Sequence, residues 1–179
     1  GDIDVKIGTI RYKDLLIQNG RIRVSIANGV LTTSIEQLKL AEGTISATAK
    51  IDASKPAAIL SYQASITGVE ARKLLKTFAD NDRLSGKANF QTRGKARGRT
   101  QKELVESLNG DGRFKFIDGA IHGINLAATL RKAKTLGIGA SGGEAQKTDF
   151  AELSGSFTIK NGLLENRDFK MLAPLIRLS

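Results

Sequence analysis

Apolar and polar residues alternate along most of this chain, and that period of two constrains the fold more than any other feature. "GRIRVSIANGVL" places Ile22, Val24 and Ile26 on one face and Arg21, Arg23 and Ser25 on the other. "GTISATAKI" alternates Ile45, Ala47, Ala49 and Ile51 with Thr44, Ser46, Thr48 and Lys50. "ILSYQASIT" does the same with Leu60, Tyr62, Ala64 and Ile66, and "RLSGKANFQTR" with Leu84, Gly86, Ala88 and Phe90. Successive side chains of a strand point to opposite faces, so each segment predicts a strand with one dry and one wet side, as in antiparallel sheets.

Asn28-Gly29, Asp118-Gly119 and Asn161-Gly162 read as two-residue hairpin turns, because both positions tolerate positive φ. The segment Gly112 to Ile121 carries Phe114 and Phe116 before its Asp-Gly. It aligns with Gly155 to Leu164, which carries Phe157 and Ile159 before its Asn-Gly. A looser copy runs from Gly20 to Leu31. On this reading Phe116 faces Ile121, His122 faces Lys115, and Ile159 faces Leu164 across their turns.

Helical spacing is rare. It covers Val69 to Ala79, Thr100 to Leu108 and Ile124 to Leu136. The glycine-rich stretch 137–147 reads as a loop or insert, and Asp80-Asn81-Asp82 as a turn after a helix. The fold class expected is mainly β (α+β): a curved antiparallel sheet of repeated hairpins, a few short covering helices and an open apolar groove. Residues 1–179 form one domain on this reading: hairpins over 1–68, helix-strand-helix over 69–110, and repeated hairpins over 111–179. The chain opens on strand alternation and stops at "APLIRLS", which reads as a segment of a longer protein.

Composition limits the chemistry. There is no cysteine and one histidine, His122, which excludes thiolate metal sites and paired-histidine catalysis. No P-loop, GxSxG or dinucleotide fingerprint is present, so a non-enzymatic role without cofactor or metal is expected. The 28 Lys and Arg outweigh 18 Asp and Glu, a formal charge of +10 that favours anionic partners. The basic run "RGKARGRTQK" spells this out locally and reads as an inter-element loop. Aromatic residues are only 5% of the chain, too few for base-stacking platforms, which disfavours nucleic acid.

The stretch "LNGDGRFKFIDGAIHGINLAATLRKAKTLG", a glycine-rich gap and "TDFAELSGSFTIKNGLLENRDFKMLAPLIRLS" together resemble the C-terminal region of the AsmA family. "FADNDRLSGKANFQTRGKARGRT" fits as well, and residues 1–66 fit in general pattern. The resemblance implies a periplasmic portion of a protein anchored in the bacterial inner membrane. It further implies a part in outer-membrane biogenesis and kinship with bridge-like lipid transfer proteins, whose curved sheets hold acyl chains.

The expected partner is then a phospholipid or other acyl-chain lipid at an anionic membrane surface; the alternatives are an assembly module for envelope proteins and a basic polyanion-binding domain. The candidate lipid-binding residues are Ile22, Val24, Ile26, Ile45, Ala47, Ala49, Tyr62, Ala64, Ala88, Phe90, Phe114, Phe116, Phe157 and Ile159. The candidate head-group rim is Arg93, Lys95, Arg97 and Arg99.

Overall fold

The computed structural model describes residues 1–125 and 146–173. The helix expected over Ile124 to Leu136 and most of the glycine-rich insert lie outside the described residues. Eight long strands follow one another: β1 (Asp2–Tyr12), β2 (Leu15–Ala27), β3 (Val30–Leu40), β4 (Gly43–Asp52), β5 (Ala58–Glu70), β6 (Leu84–Gly98), β7 (Asn109–His122) and β8 (Lys147–Lys160). Each pairs antiparallel with the next, in the order of the chain. Two short strands, β9 (Leu163–Glu165) and β10 (Lys170–Leu172), both pair with β8. The result is one open, curved ten-stranded antiparallel sheet. Two helices, α1 (Ala71–Ala79) and α2 (Gln101–Glu106), flank β6.

The helix boundaries follow capping chemistry. α1 starts two residues later than the apolar spacing suggests, because Val69 and Glu70 still belong to the β5 ladder. The Glu70 carboxylate then accepts from the Arg72 N–H at 3.2 Å, and Asp80 closes the helix in the left-handed conformation. At α2 the Thr100 hydroxyl accepts from the Glu103 N–H, while the Glu103 carboxylate accepts from the Arg99 N–H, four residues earlier.

Asn28-Gly29 and Asn161-Gly162 turn hairpins with positive φ at both residues, joining Ala27 to Val30 and Lys160 to Leu163. Asp118-Gly119 does not. β7 runs through it without turning, pairing with β6 on one side and β8 on the other. Asp118 takes φ 50°, and the two residues bulge opposite the single Gly86. Phe116 therefore lies between Ala88 and Leu153 rather than facing Ile121. His122 lies opposite Lys147, not Lys115, with its Nε2 3.1 Å from the Ser85 hydroxyl. The basic run also differs from expectation, since Arg93 to Gly98 is the second half of β6 rather than a loop.

Burial is shallow over most of the sheet and deep at one end. Leu15, Leu40, Ala41 and Val69 form a small closed core, with Ile17, Ile45, Ile66 and Leu74 packed around it. Leu74 brings α1 into that core, and Phe78 stacks on Tyr12 at 6.0 Å. The Glu42 carboxylate adds an ionic clasp, accepting from Lys73 on α1 at 2.9 Å and from Lys87 on β6.

Three measurements test this architecture. Asp at Phe116 would stand between Ala88 and Leu153, both buried, so Phe116→Asp should cost roughly 2–5 kcal/mol in chemical denaturation. Lys115→Gln, one position along and on the other face, removes only the half-exposed pair with Glu152 and should cost under about 1 kcal/mol.

A Cβ at Gly119 would run into the Ser85 carbonyl oxygen and the Phe150 ring, whereas one at Gly8 meets nothing within 4 Å. Gly119→Ala should therefore cost roughly 1–3 kcal/mol, and Gly8→Ala should leave the melt in place.

Hydrogen bonds from Lys87 and then Lys73 hold the Glu42 pKa down from 4.5 to about 2. A depressed carboxylate contributes stability above its unfolded value and loses it as pH falls through its folded value. The clasp should thus be complete above about pH 4.5 and lost by about pH 2. Amide exchange of α1 should accelerate across that window, and the difference between the parent and Glu42→Gln should vanish at its acid end.

Candidate functional site

Register converts the alternating residues into continuous rows across the strands. Ile22, Ile35, Ala47, Ala64, Thr92, Gly112 and Phe157 are successive partners from β2 to β8. Val24, Thr33, Ala49, Tyr62, Gly94, Gly110 and Ile159 form the next row. Ile45, Ile66, Phe90 and Phe114 form the row on the other side, then Ala88 with Phe116. Ile26 ends the face beside Leu31. All the apolar residues singled out from the sequence therefore share one dry face.

Two rows of glycine in that face are filled by rings. A Cβ on Gly94 would meet the Tyr62 ring at 2.9 Å, and one on Gly112 would run into the Phe157 ring. The Phe157 ring stacks on Phe90 at 5.8 Å, and Phe114 touches Phe116 and Phe169 at 6.3 and 6.4 Å. The face is nonetheless mostly open. Of the candidate lipid-binding residues only Ala88 is buried, and Gly94 in the second row is buried as well; most of the others are half-buried, and Ile26 is 57% exposed. β1 extends it with Ile3 and Val5, 60% and 47% exposed, and β8 with the buried Leu153. The β1 residues had a sequence signal, the alternation of "DIDVKIG"; Leu153 joins through pairing alone.

The hollows lie on the opposite, polar face. One, of about 1280 Å³, runs across the strands from Lys6 on β1 to Thr158 on β8. Its lining takes Ser46 and Thr48 with Ala47 between them, and Gln63 and Ser65 with Ala64 between them. In each strand the two polar side chains form the walls and the dry-face residue contributes its backbone as floor. Ile66, Phe90 and Tyr62 do not border it. Arg21 in its wall donates to Asp4 at 2.7 Å, and this hydrogen bond holds the Asp4 carboxyl below its usual value. Arg113 donates to Gln91 at 2.9 Å. A second trough, of about 680 Å³, lies beside the first and shares Thr48, Gln63, Arg93, Asp111 and Thr158 with it.

Arg93, Lys95 and Arg97 alternate with Gly94, Ala96 and Gly98 along β6, so they project from the polar face, in the middle of the sheet. Arg93 and Lys95 line the second trough, and Arg93 donates to Asp111 at 3.0 Å. Arg99 alone lies past the strand end, where its backbone meets α2. The four cations are therefore not gathered along one margin of the dry face.

Among the described residues no helix is long and apolar enough to cross a membrane. No curated protein matches the chain, and no solved structure does. A family model described as "AsmA family" matches residues 1–169, and a match over so much of the length shows that the chain belongs to the AsmA family.

Proposed function

We propose that this chain is a non-enzymatic lipid-holding domain, whose dry face carries phospholipid or another acyl-chain lipid. Family membership points to envelope and outer-membrane biogenesis in the broad sense. The lipid reading is finer, and one observation supports it above the others. Two rows rich in Ile, Val, Ala, Tyr and Phe, with Thr and Gly interspersed, cross seven strands and stay mostly half-buried, and among the described residues the closed core is small and lies at one end. Contiguous exposed apolar surface of this kind marks a place where something apolar binds. The small residues Ala47, Ala49 and Ala64 sit in the centre of that surface, flanked by larger side chains, and make a shallow depression for a chain of methylenes. The domain belongs, on this reading, to the periplasmic part of a protein anchored in the inner membrane.

Ala47→Phe and Ala49→Phe test it. On an open face the added rings have room, so stability should change by less than about 1 kcal/mol. The same rings would fill the depression and lower the lipid recovered with the purified protein, measured by mass spectrometry. A fall in melting temperature with no loss of lipid would reject the reading, as would absence of lipid from parent and variants alike.

β1 favours a second reading, an assembly module. It is an eleven-residue edge strand, exposed except at Ile7, with its outer backbone groups unpaired among the described residues. Such an edge accepts a further strand from an envelope protein. Photo-crosslinkers at Thr9 and Arg11 should capture a single client if this is so, and capture that disappears with Pro at Thr9 would identify strand pairing.

A further inference from the structure

We infer that the second trough of the polar face is a binding site for a soluble oligophosphate. Lys50, Lys95 and Lys160 lie along one of its walls. Lys50 pairs in register with Ser61, Ser61 with Lys95, and Lys95 with Asn109. Gly110 opposite Ile159 brings Lys160 to the next place in the same row. The three ammoniums are thus spaced two strands apart, about 10 Å at the base of each side chain. None makes an ion-pair contact with a carboxylate among the described residues, although Asp52 lies near enough to Lys50 to feel its charge, and the protein pairs many of its other cations directly. The opposite wall adds Arg93, whose charge is already balanced by Asp111 at 3.0 Å. The trough therefore holds a local excess of positive charge, only partly offset by Asp52 beside Lys50, on a rigid floor of backbone with the Ser61 hydroxyl between Lys50 and Lys95.

Lysines are exposed and separated so that each keeps its own hydration until an anion arrives, and their flexible stems converge on a ligand with several phosphates. A single carboxylate would satisfy only one. A flat bilayer is the poorer occupant, because the Thr48 and Ser61 hydroxyls are half-buried in the lining while Lys50, Lys95 and Lys160 are exposed above them. This site is on the face opposite the apolar rows, so it stands or falls separately from lipid holding.

The test uses short-chain inorganic polyphosphate as the probe, titrated calorimetrically into the whole chain at two salt concentrations. The variant Lys50→Gln/Lys95→Gln/Lys160→Gln should weaken binding by about tenfold or more. A charge-matched control, Lys39→Gln/Lys55→Gln/Lys170→Gln, should change it by less than about threefold. Thermal melts of all three proteins confirm folding, and the exposed positions should leave them alike. Equal loss in variant and control would overturn the site in favour of net charge alone. So would failure of the parent to bind polyphosphate. Sedimentation with phosphatidylglycerol vesicles that depends on Lys50, Lys95 and Lys160, without polyphosphate binding, would overturn it in favour of a membrane surface.

Discussion

Everything in this molecule depends on keeping one set of side chains on one face of a sheet whose strands do not stay regular. Shifting a strand by one residue would send its apolar set to the other side. The chain meets this constraint where it breaks its own alternation. β2 steps from Ile17 to Gly20 around Asn19 at φ 50°, β3 from Ile35 to Leu38 around Gln37 at φ 48°, and β5 from Ile66 to Val69 around Gly68 at φ 66°. Each step is three residues instead of two; β3 and β5 carry the extra residue as a bulge against β4 and β6, whereas β2 and β3 stay in step because Asn19 and Gln37 both turn left-handed. The apolar face continues across the irregularity while the strands gain twist. Gly20 fits this arrangement because a Cβ there would collide with Leu38.

The same line of irregularities explains why the closed core is at one end. Leu15, Leu40 and Val69 lie beyond the steps, where the extra twist brings β2, β3 and β5 under α1. On the other side of the steps the strands are regular, and among the described residues little covers them beyond α2 at the end of β6 and Phe169 against Phe114. The small core and the long open face are therefore two consequences of one backbone device. A sheet without it would be flatter, and α1 would have no pocket for Leu74.

Much of this was legible from the sequence, for reasons that differ by element. The dry rows were readable because period two survives in ten-residue windows, and the asparagine-glycine hairpins because both turn residues carry their own preference for positive φ. Asp118-Gly119 carries the same preference, yet in a bulge. The choice between turn and bulge is made by Gly86 on a strand more than thirty residues away, and no local pattern encodes that partner. Arg93, Lys95 and Arg97 read as a loop because charge and glycine usually mean exposure. Their alternation with Gly94, Ala96 and Gly98 was the overlooked sign of a strand. The troughs were not legible at all, because their walls come from eight strands and exist only once register is fixed.

That register also decides how the two faces relate. A lipid whose tails lie over Ala47 and Ala64 is separated by the sheet itself from Lys50 and Lys95, whose side chains leave the backbone in the opposite direction. One phospholipid cannot place its tails on the dry rows and its phosphate in the trough. Head-group recognition for a lipid on the dry face has to come from the strand ends, where Arg99 lies. The lysine row must then serve an anion that approaches from the other side. A protein that only needed solubility could scatter its cations among carboxylates, as this one does with Asp4, Glu36 and Glu152. Aligning three lysines without direct ion-pair contacts in one row of a polar trough works against their mutual repulsion, and a bound oligoanion is what would relieve it.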